Sequence, residues 1–358
     1  MLYHLLYSLH EWHFIFNVFR YITFRTICAI FTSALIVFIL MPRFIAYMRA
    51  RQFGQVIREI GPDHQHKAGT PTMGGVVIIL AVIIATLLWG KLTNIYIWIT
   101  LGLFLIFGLI GFFDDWRKVS RQKSLGLTAK EKLLLQSLTA GVFLFLALKY
   151  GSFDTKLAVP FFKEFRPDLG FLYFPFVMIV VVGASNAFNL TDGLDGLATG
   201  PFIVTTGVYL LFVYLAGHFK LASYLHVPYV PGAGELCIFC GALLGAALAF
   251  LWYNSYPAEI FMGDVGSLSL GASLGALAII SKQELLLVIA GGVFVAEALS
   301  VMLQVVYFRL TGGKRIFRMA PLHHHFEKLG WPEPKVIVRF WIAAIFLGLL
   351  AVSTLKLR

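Results

Sequence analysis

The sequence predicts an all-α integral membrane protein with about ten transmembrane helices, and three observations carry that prediction. Hydrophobic residues make up 59% of the 358, charged residues only 13%, and the mean hydropathy is +0.83, leaving too little polar surface to cover a soluble globule. Apolar stretches of roughly bilayer length, ~20 residues each, recur from one end of the chain to the other. The basic residues gather in a few of the intervening loops.

The apolar stretches cover 21–45, 72–88, 95–113, 133–148, 171–187, 197–216, 236–253, 267–280, 285–308 and 336–355. The stretch at 267–280 is short and rich in Gly and Ala, which suits a helix packed closely against its neighbours inside the bundle. Residues 2–19 have neither a basic head nor a small-residue cleavage site. They read as an interfacial helix, with Trp12 and other aromatics at headgroup depth. The chain is therefore one polytopic domain over 1–358, with 1–20 as an interfacial segment. Cys28, Cys237 and Cys240 all fall in predicted spans; with no second pair, the Cys237 and Cys240 spacing belongs to the core rather than to zinc or redox work.

Orientation follows from the Lys and Arg residues. If loops alternate between two faces, one face receives Arg49, Arg51, Arg58 and Lys67, then Arg117, Lys118, Arg121, Lys123, Lys130 and Lys132, then Arg309, Lys314, Arg315, Arg318, Lys328 and Lys335. The other holds scattered charges such as Lys91, Lys156 and Lys220. The first face is expected to be cytoplasmic, with both termini outside. No nucleic-acid partner is expected.

The same face carries five carboxylates: Asp114 and Asp115, Asp192 and Asp195, and Asp264. The loops of Asp192, Asp195 and Asp264 have almost no Lys or Arg of their own, so their charge must be balanced by neighbouring loops or by a divalent cation that prefers oxygen ligands. The run Gly-Phe-Phe-Asp-Asp-Trp-Arg-Lys at 111–118 closes the third span. Adjacent residues on a helix point about 100° apart, so Asp114 and Asp115 can serve different partners. A C-terminal helix end is the unfavourable end of the macrodipole for two acids, which argues against a merely structural pair. Lys118, one turn on, is placed to offset them or to contact phosphate, and Lys130 and Lys132 open the next helix.

In Ser-Asn-Ala-Phe-Asn-Leu-Thr-Asp-Gly-Leu-Asp-Gly-Leu at 185–197, Gly193 and Gly196 allow tight turns beside a ligand. Asn189, Asp192 and Asp195 can hydrogen-bond a sugar or base. In the run over 252–267, Asp264 stands between Gly263 and Gly266 and is the best single candidate for a metal ligand; Phe261 and Asn254 suit an aromatic-plus-amide clamp on a flat heterocycle. His323, His324 and His325 cannot all point one way, so three-ligand zinc binding is geometrically poor, whereas two of them with nearby cations suit phosphate or a carboxylate. Lys67, in Lys-Ala-Gly-Thr-Pro-Thr-Met-Gly-Gly at 67–75, is a cation among small hydrogen-bonding neighbours, at a spacing that fits no P-loop.

Taken together, these runs resemble the polyprenyl-phosphate N-acetylhexosamine-1-phosphate transferases over essentially the whole chain, and within them the branch that moves a phospho-MurNAc-pentapeptide. The Met-Ala-Pro-Leu-His-His-His-Phe-Glu run at 319–327 carries that distinction. The resemblance implies transfer from UDP-MurNAc-pentapeptide to undecaprenyl phosphate, making lipid I and UMP at the cytoplasmic face of a bacterial inner membrane. By that resemblance Asp264 binds Mg2+, Asp114 and Asp115 line the catalytic centre with His323 and His324 close by, and Lys67, Lys118, Lys130, Asn189, Asp192, Asp195, Asn254, Phe261, Gln304 and His325 serve nucleotide or active-site binding. It also implies a homodimer.

Two other classes compete. A membrane prenyltransferase would hold magnesium diphosphate on paired Asp-rich motifs, but Asp-Asp-Trp-Arg-Lys occurs once. A transporter would place carboxylates near mid-membrane on broken helices, whereas these cluster at one face.

Overall fold

The computed structural model describes residues 1–51, 69–121, 126–151, 153–162 and 165–356. Along them run α1 (Leu2–Ser8), α2 (Ile22–Ala50), α3 (Gly75–Trp89), α4 (Ile95–Arg121), α5 (Ala129–Tyr150), α6 (Tyr173–Thr191) and α7 (Thr199–Gly217). Next come α8 (Phe219–Leu225), α9 (Leu236–Asn254), α10 (Gly263–Ile280), α11 (Leu287–Ala290), α12 (Gly292–Leu310), α13 (Leu322–Lys328) and α14 (Glu333–Ser353). Among the described residues nine helices are long and apolar enough to cross a bilayer, which makes this a multi-pass membrane protein; α3, with 15 residues, is a shorter tenth.

At the centre stands α10, buried along almost its whole length, as the Gly- and Ala-rich stretch predicts. Between helices in lipid no hydrophobic drive operates, so association relies on close packing, which small side chains permit. Glycines supply it on three sides. A Cβ on Gly111 of α4 would fall 2.1 Å from the Asp264 carbonyl oxygen, and one on Gly75 of α3 would fall 2.2 Å from the Gly266 nitrogen. On the α6 side, a Cβ on Gly275 would fall 2.7 Å from Val181 Cα. A second close crossing joins α2 to α9, where a Cβ on Gly245 would meet the Ile30 carbonyl oxygen at 2.0 Å.

Four element boundaries differ from the sequence expectation. The stretch from 72 begins its helix only at Gly75, because Pro71 and Gly74 spend their backbone groups on another chain segment: Phe261 N–H donates to Pro71 O at 2.8 Å and Gly74 N–H to Phe261 O at 2.9 Å. Helix α4 runs on to Arg121, so Asp114 and Asp115 lie on the helix about two turns before its end, not at its terminus. Helix α10 starts at Gly263 rather than at 267, which puts Asp264 in its first turn, the end of the macrodipole that favours a carboxylate. The stretch 285–308 is broken at Gly291. There Thr205 Oγ1 of α7 donates to the Ala290 carbonyl at 2.9 Å, and Phe294 stacks on Phe188 of α6 at 5.1 Å, so α12 begins well inside the bundle.

Residues 2–19 are not one continuous helix: α1 is followed by 3-10 turns at Leu9–Glu11 and Phe14–Arg20, separated by extended His13. This segment crosses the end of α3, where the Met1 ammonium donates to Leu87 O and Tyr3 lies under the Arg25 guanidinium at 4.2 Å. Arg25, buried, forms a two-pronged ion pair with Glu235 at 2.8 Å for each prong and fastens α2 to the start of α9 at this end of the bundle. Lys282 does the same for the 153–168 segment, ion-paired to Asp154 at 3.0 Å. The acidic loops collect at the opposite end. Cys237 and Cys240 are buried free thiols in α9, as a core role requires.

Overpacking a tight helix contact costs about 1–3 kcal/mol. Gly111→Ala is expected to lower the thermal midpoint of the detergent-solubilised protein by several degrees, while Gly102→Ala on the same helix, with nothing within 4 Å of its added methyl, leaves it unchanged; a differential scan of both variants checks this.

Candidate active site

The α4 and α10 contact at Gly111 decides what meets at the acidic end. Asp115 Oδ2 accepts the Val265 N–H at 3.1 Å, so a side chain of α4 satisfies one of the free amides in the first turn of α10. Gly263, at φ +74°, sits against the same oxygen, where a Cβ would come within 2.6 Å. Asp114 turns the other way: its Oδ1 accepts the Leu127 N–H at 2.7 Å, just ahead of α5, and Gly126 leaves the room for it. The α5 start is itself fixed by a capping box between Thr128 and Glu131. The expected divergence of the two adjacent acids is what the structure displays.

Asp114, Asp115 and Asp264 each bring a carboxylate oxygen to within 4.8 Å of the others. Lys118 Nζ lies among them, 2.5 Å from Asp114 Oδ2, 3.7 Å from Asp115 Oδ1 and 3.0 Å from Asp264 Oδ2. Lys132 Nζ reaches Asp264 Oδ2 at 2.9 Å. The other Asp264 oxygen accepts from Asn189 Nδ2 at 2.7 Å, and the same nitrogen lies 2.7 Å from Ser267 Oγ. Three carboxylates and two ammonium groups carry a formal charge of −1 between them, gathered around Asp264 and largely shielded from water. All the donors on the acid side are hard oxygens, two from α4 and one from α10, and a cation already stands between them; that donor set fits a divalent ion such as magnesium.

Asp192 caps α6 beside this centre, its N–H donating to Phe188 O at 3.1 Å, and its carboxylate makes no hydrogen bond or ion pair to a described residue. Burial first, then the negative charges of Asp264 and Asp195, push its carboxyl up to about 7. Asp195, three residues on and buried, accepts the Ala258 N–H at 2.9 Å and donates its own N–H to Glu333 at 3.1 Å, so it ties the 192–196 turn to the segment before α10 and to α14.

Other predicted residues are spent on holding loops. Asn254 is buried, donating to Ile260 O at 3.0 Å and accepting from Thr199 Oγ1 at 3.1 Å. Phe261 is pinned through its backbone to Pro71 and Gly74. Gln304 accepts the N–H groups of Ile316 and Phe317 at 3.1 and 3.0 Å and donates back to Phe317 O. The three histidines diverge, as consecutive residues on a helix must: His323 is buried against Glu297, His324 pairs with Glu327 at 2.7 Å, and His325 Nδ1 accepts the Arg318 N–H at 3.1 Å. Lys130 is exposed. Lys67 lies outside the described residues. Lys132, Ser267, Glu297 and Glu333 were not singled out as site residues. For Lys132 the signal was present, since Thr128 as N-cap fixes the helical phase and separates Lys130 from Lys132 by about 200°.

A glycosyl transferase family 4 model matches residues 97–282, and a phospho-N-acetylmuramoyl-pentapeptide-transferase signature matches 67–79. The chain is 60% identical over 359 residues to a phospho-N-acetylmuramoyl-pentapeptide-transferase of Desulfotalea psychrophila, with 100% of both chains covered. Proteins of the same description from Syntrophus aciditrophicus and Oleidesulfovibrio alaskensis are 58% and 57% identical, again over 100% of each chain. The chain is a member of the phospho-N-acetylmuramoyl-pentapeptide-transferase family within glycosyl transferase family 4.

Proposed function

We propose that this chain transfers phospho-MurNAc-pentapeptide from UDP-MurNAc-pentapeptide to undecaprenyl phosphate, forming lipid I and releasing UMP, at the cytoplasmic face of a bacterial inner membrane. The observation that carries the reading is the cluster of Asp114, Asp115 and Asp264 bridged by Lys118 and Lys132 at one end of a helical bundle, in a chain with full-length relatives of that description. The lysine-rich loops at the same end support the cytoplasmic assignment. The homodimer is part of the same proposal, and light scattering on the purified protein measures it.

In the proposed reaction an oxygen of undecaprenyl phosphate attacks the sugar-linked phosphorus of the donor, and the bond from that phosphorus to the bridging oxygen breaks, the electron pair leaving with UMP. The acceptor phosphate is already nucleophilic near neutral pH, its second pKa being about 6. Asp115 is the better placed of the adjacent acids to orient it or take its proton. Both Asp114 oxygens are committed, to Leu127 N–H and to Lys118 at 2.5 Å, whereas Asp115 Oδ1 has only Lys118 at 3.7 Å. Lys118 and Lys132 supply fixed positive charge where the diphosphate would enter. Asp264, with the neighbouring acids, would hold magnesium, which when bound neutralises charge developing on the departing UMP phosphate.

Purified protein in detergent with magnesium should release UMP from UDP-MurNAc-pentapeptide only when undecaprenyl phosphate is present. Preference for UDP-GlcNAc would overturn the donor, and release without the lipid would point to a covalent phosphosugar on an Asp. Asp115→Asn and Lys132→Met should each lower kcat by at least about 100-fold; steady-state kinetics on folded variants decides.

Asp192 gives a pH dependence. Its carboxyl is raised partly by the negative charge of Asp264, so a cation bound at Asp264 lowers it and releases a proton. Magnesium affinity should therefore rise with pH up to about 7 and level above it, and Asp192→Asn should reduce the slope, as isothermal titration at several pH values would measure.

A further inference from the structure

Three buried polar atoms without a hydrogen-bond partner meet where Glu297 of α12 faces His323 of α13. The Glu297 side chain is 0% exposed, one turn after Phe294, which stacks on Phe188 near the end of α6 that leads into Asp192. Oε1 accepts the backbone N–H of His323 at 3.1 Å and lies 3.2 Å from His323 Nδ1 without hydrogen-bond geometry, so Oε2 and both ring nitrogens of His323 are buried with no hydrogen-bond partner among the described residues. The His323 ring is just as enclosed, at 1% exposure. Its far nitrogen, Nε2, faces Gly193, where a Cβ would fall 2.4 Å away. The ring of His324 covers one side, with centroids 4.1 Å apart.

A carboxylate removed from water is costly unless a donor or a positive charge faces it, and the donors facing this one belong to His323. The backbone bond to Oε1 and the 3.2 Å approach of that oxygen to the enclosed ring fix where the imidazole lies, so the direction of Nε2 is fixed as well. That direction is onto the glycine between Asp192 and Asp195. Phe326, on the same helix as His323, packs with Trp331 against the cluster of Leu194, Leu197, Val336 and Ile337, so the 192–197 turn is gripped by α13 at two points.

We infer that Glu297 is a positioning residue: its buried side chain holds His323 with Nε2 against Gly193, and through that ring sets the turn that carries Asp192 and Asp195 beside the Asp264 centre. Glu297 touches no part of the acid cluster itself and acts only through His323. The rate readout rests on the proposed transfer reaction, whereas the state of the His323 ring can be read without it.

The test uses full-length protein in detergent, with two measurements on Glu297→Gln, a substitution that keeps the shape and the acceptor for the His323 N–H. In the first, kcat is expected to fall at least about tenfold while KM for donor and lipid stays within about twofold. Gly193→Ala should lower kcat similarly, and adding Glu297→Gln to His323→Gln should cost nothing further, because coupled residues do not add. In the second, the 15N resonance of His323, assigned by its disappearance in His323→Gln, should shift in Glu297→Gln. Full kcat in Glu297→Gln, losses that multiply in the double variant, or an unmoved His323 resonance would each overturn the inference. If the wild-type protein releases no UMP, the transfer reading fails, and the His323 resonance alone still decides whether Glu297 holds the ring.

Discussion

The acidic end of this bundle depends on one close approach, backbone against backbone, between α4 and α10. Gly111 lies so near the Asp264 carbonyl that no other residue fits there without displacing one helix. That proximity lets the side chain of Asp115 reach across to the Val265 N–H, and it leaves Lys118, one turn further along α4, opposite Asp264. Were the helices separated by the width of a methyl group, the carboxylates would still occupy the same sequence positions but would not share one cation. Gly75 performs the corresponding task on the α3 side, so the start of α10 is held by glycine contacts with two helices. In a lipid-embedded bundle such contacts matter more than in water, because dispersion and fit, not exclusion of water, hold helices together.

Charge follows from that geometry. Three carboxylates crowded within 4.8 Å repel one another, and the repulsion is offset by Lys118 and Lys132 rather than by solvent. A centre held this way presents fixed charges of both signs at positions set by the helices. Asp192, beside them with no cation of its own among the described residues, registers the remaining negative field in its raised carboxyl.

Helix number and the one-sided collection of acids were legible in the sequence because both are recorded in hydropathy and charge, which need no knowledge of the tertiary fold. So was the interior place of α10, through its small residues. Boundaries at the site were less legible. Hydropathy stops at Phe113 because Asp114 is polar, yet the helix continues, its acids satisfied by Leu127 and Val265 from elsewhere in the chain. Thr72 looked helical because nothing local reveals that Pro71 and Gly74 pair with Phe261. Asn254 suits an amide clamp on sequence alone and Gln304 enters only through the family resemblance; neither route reveals the loop partners each amide has in the structure. Glu297 gave no signal, being a single acid whose partner lies 26 residues away.

The adjacency of Asp114 and Asp115 has a mechanical meaning beyond charge. One residue apart on a helix, they face directions about 100° apart, and each receives a backbone amide from a different neighbour. Asp114 gathers the chain just before α5, the helix that delivers Lys132, and Asp115 gathers the first turn of α10, which delivers Asp264. Two carboxylates of α4 therefore assemble both partners of the lysine and aspartate pair that completes the centre. Separating the acids by a further residue would turn one of them away from its amide, so the spacing of the Asp-Asp pair is set by the construction of the site as much as by its chemistry.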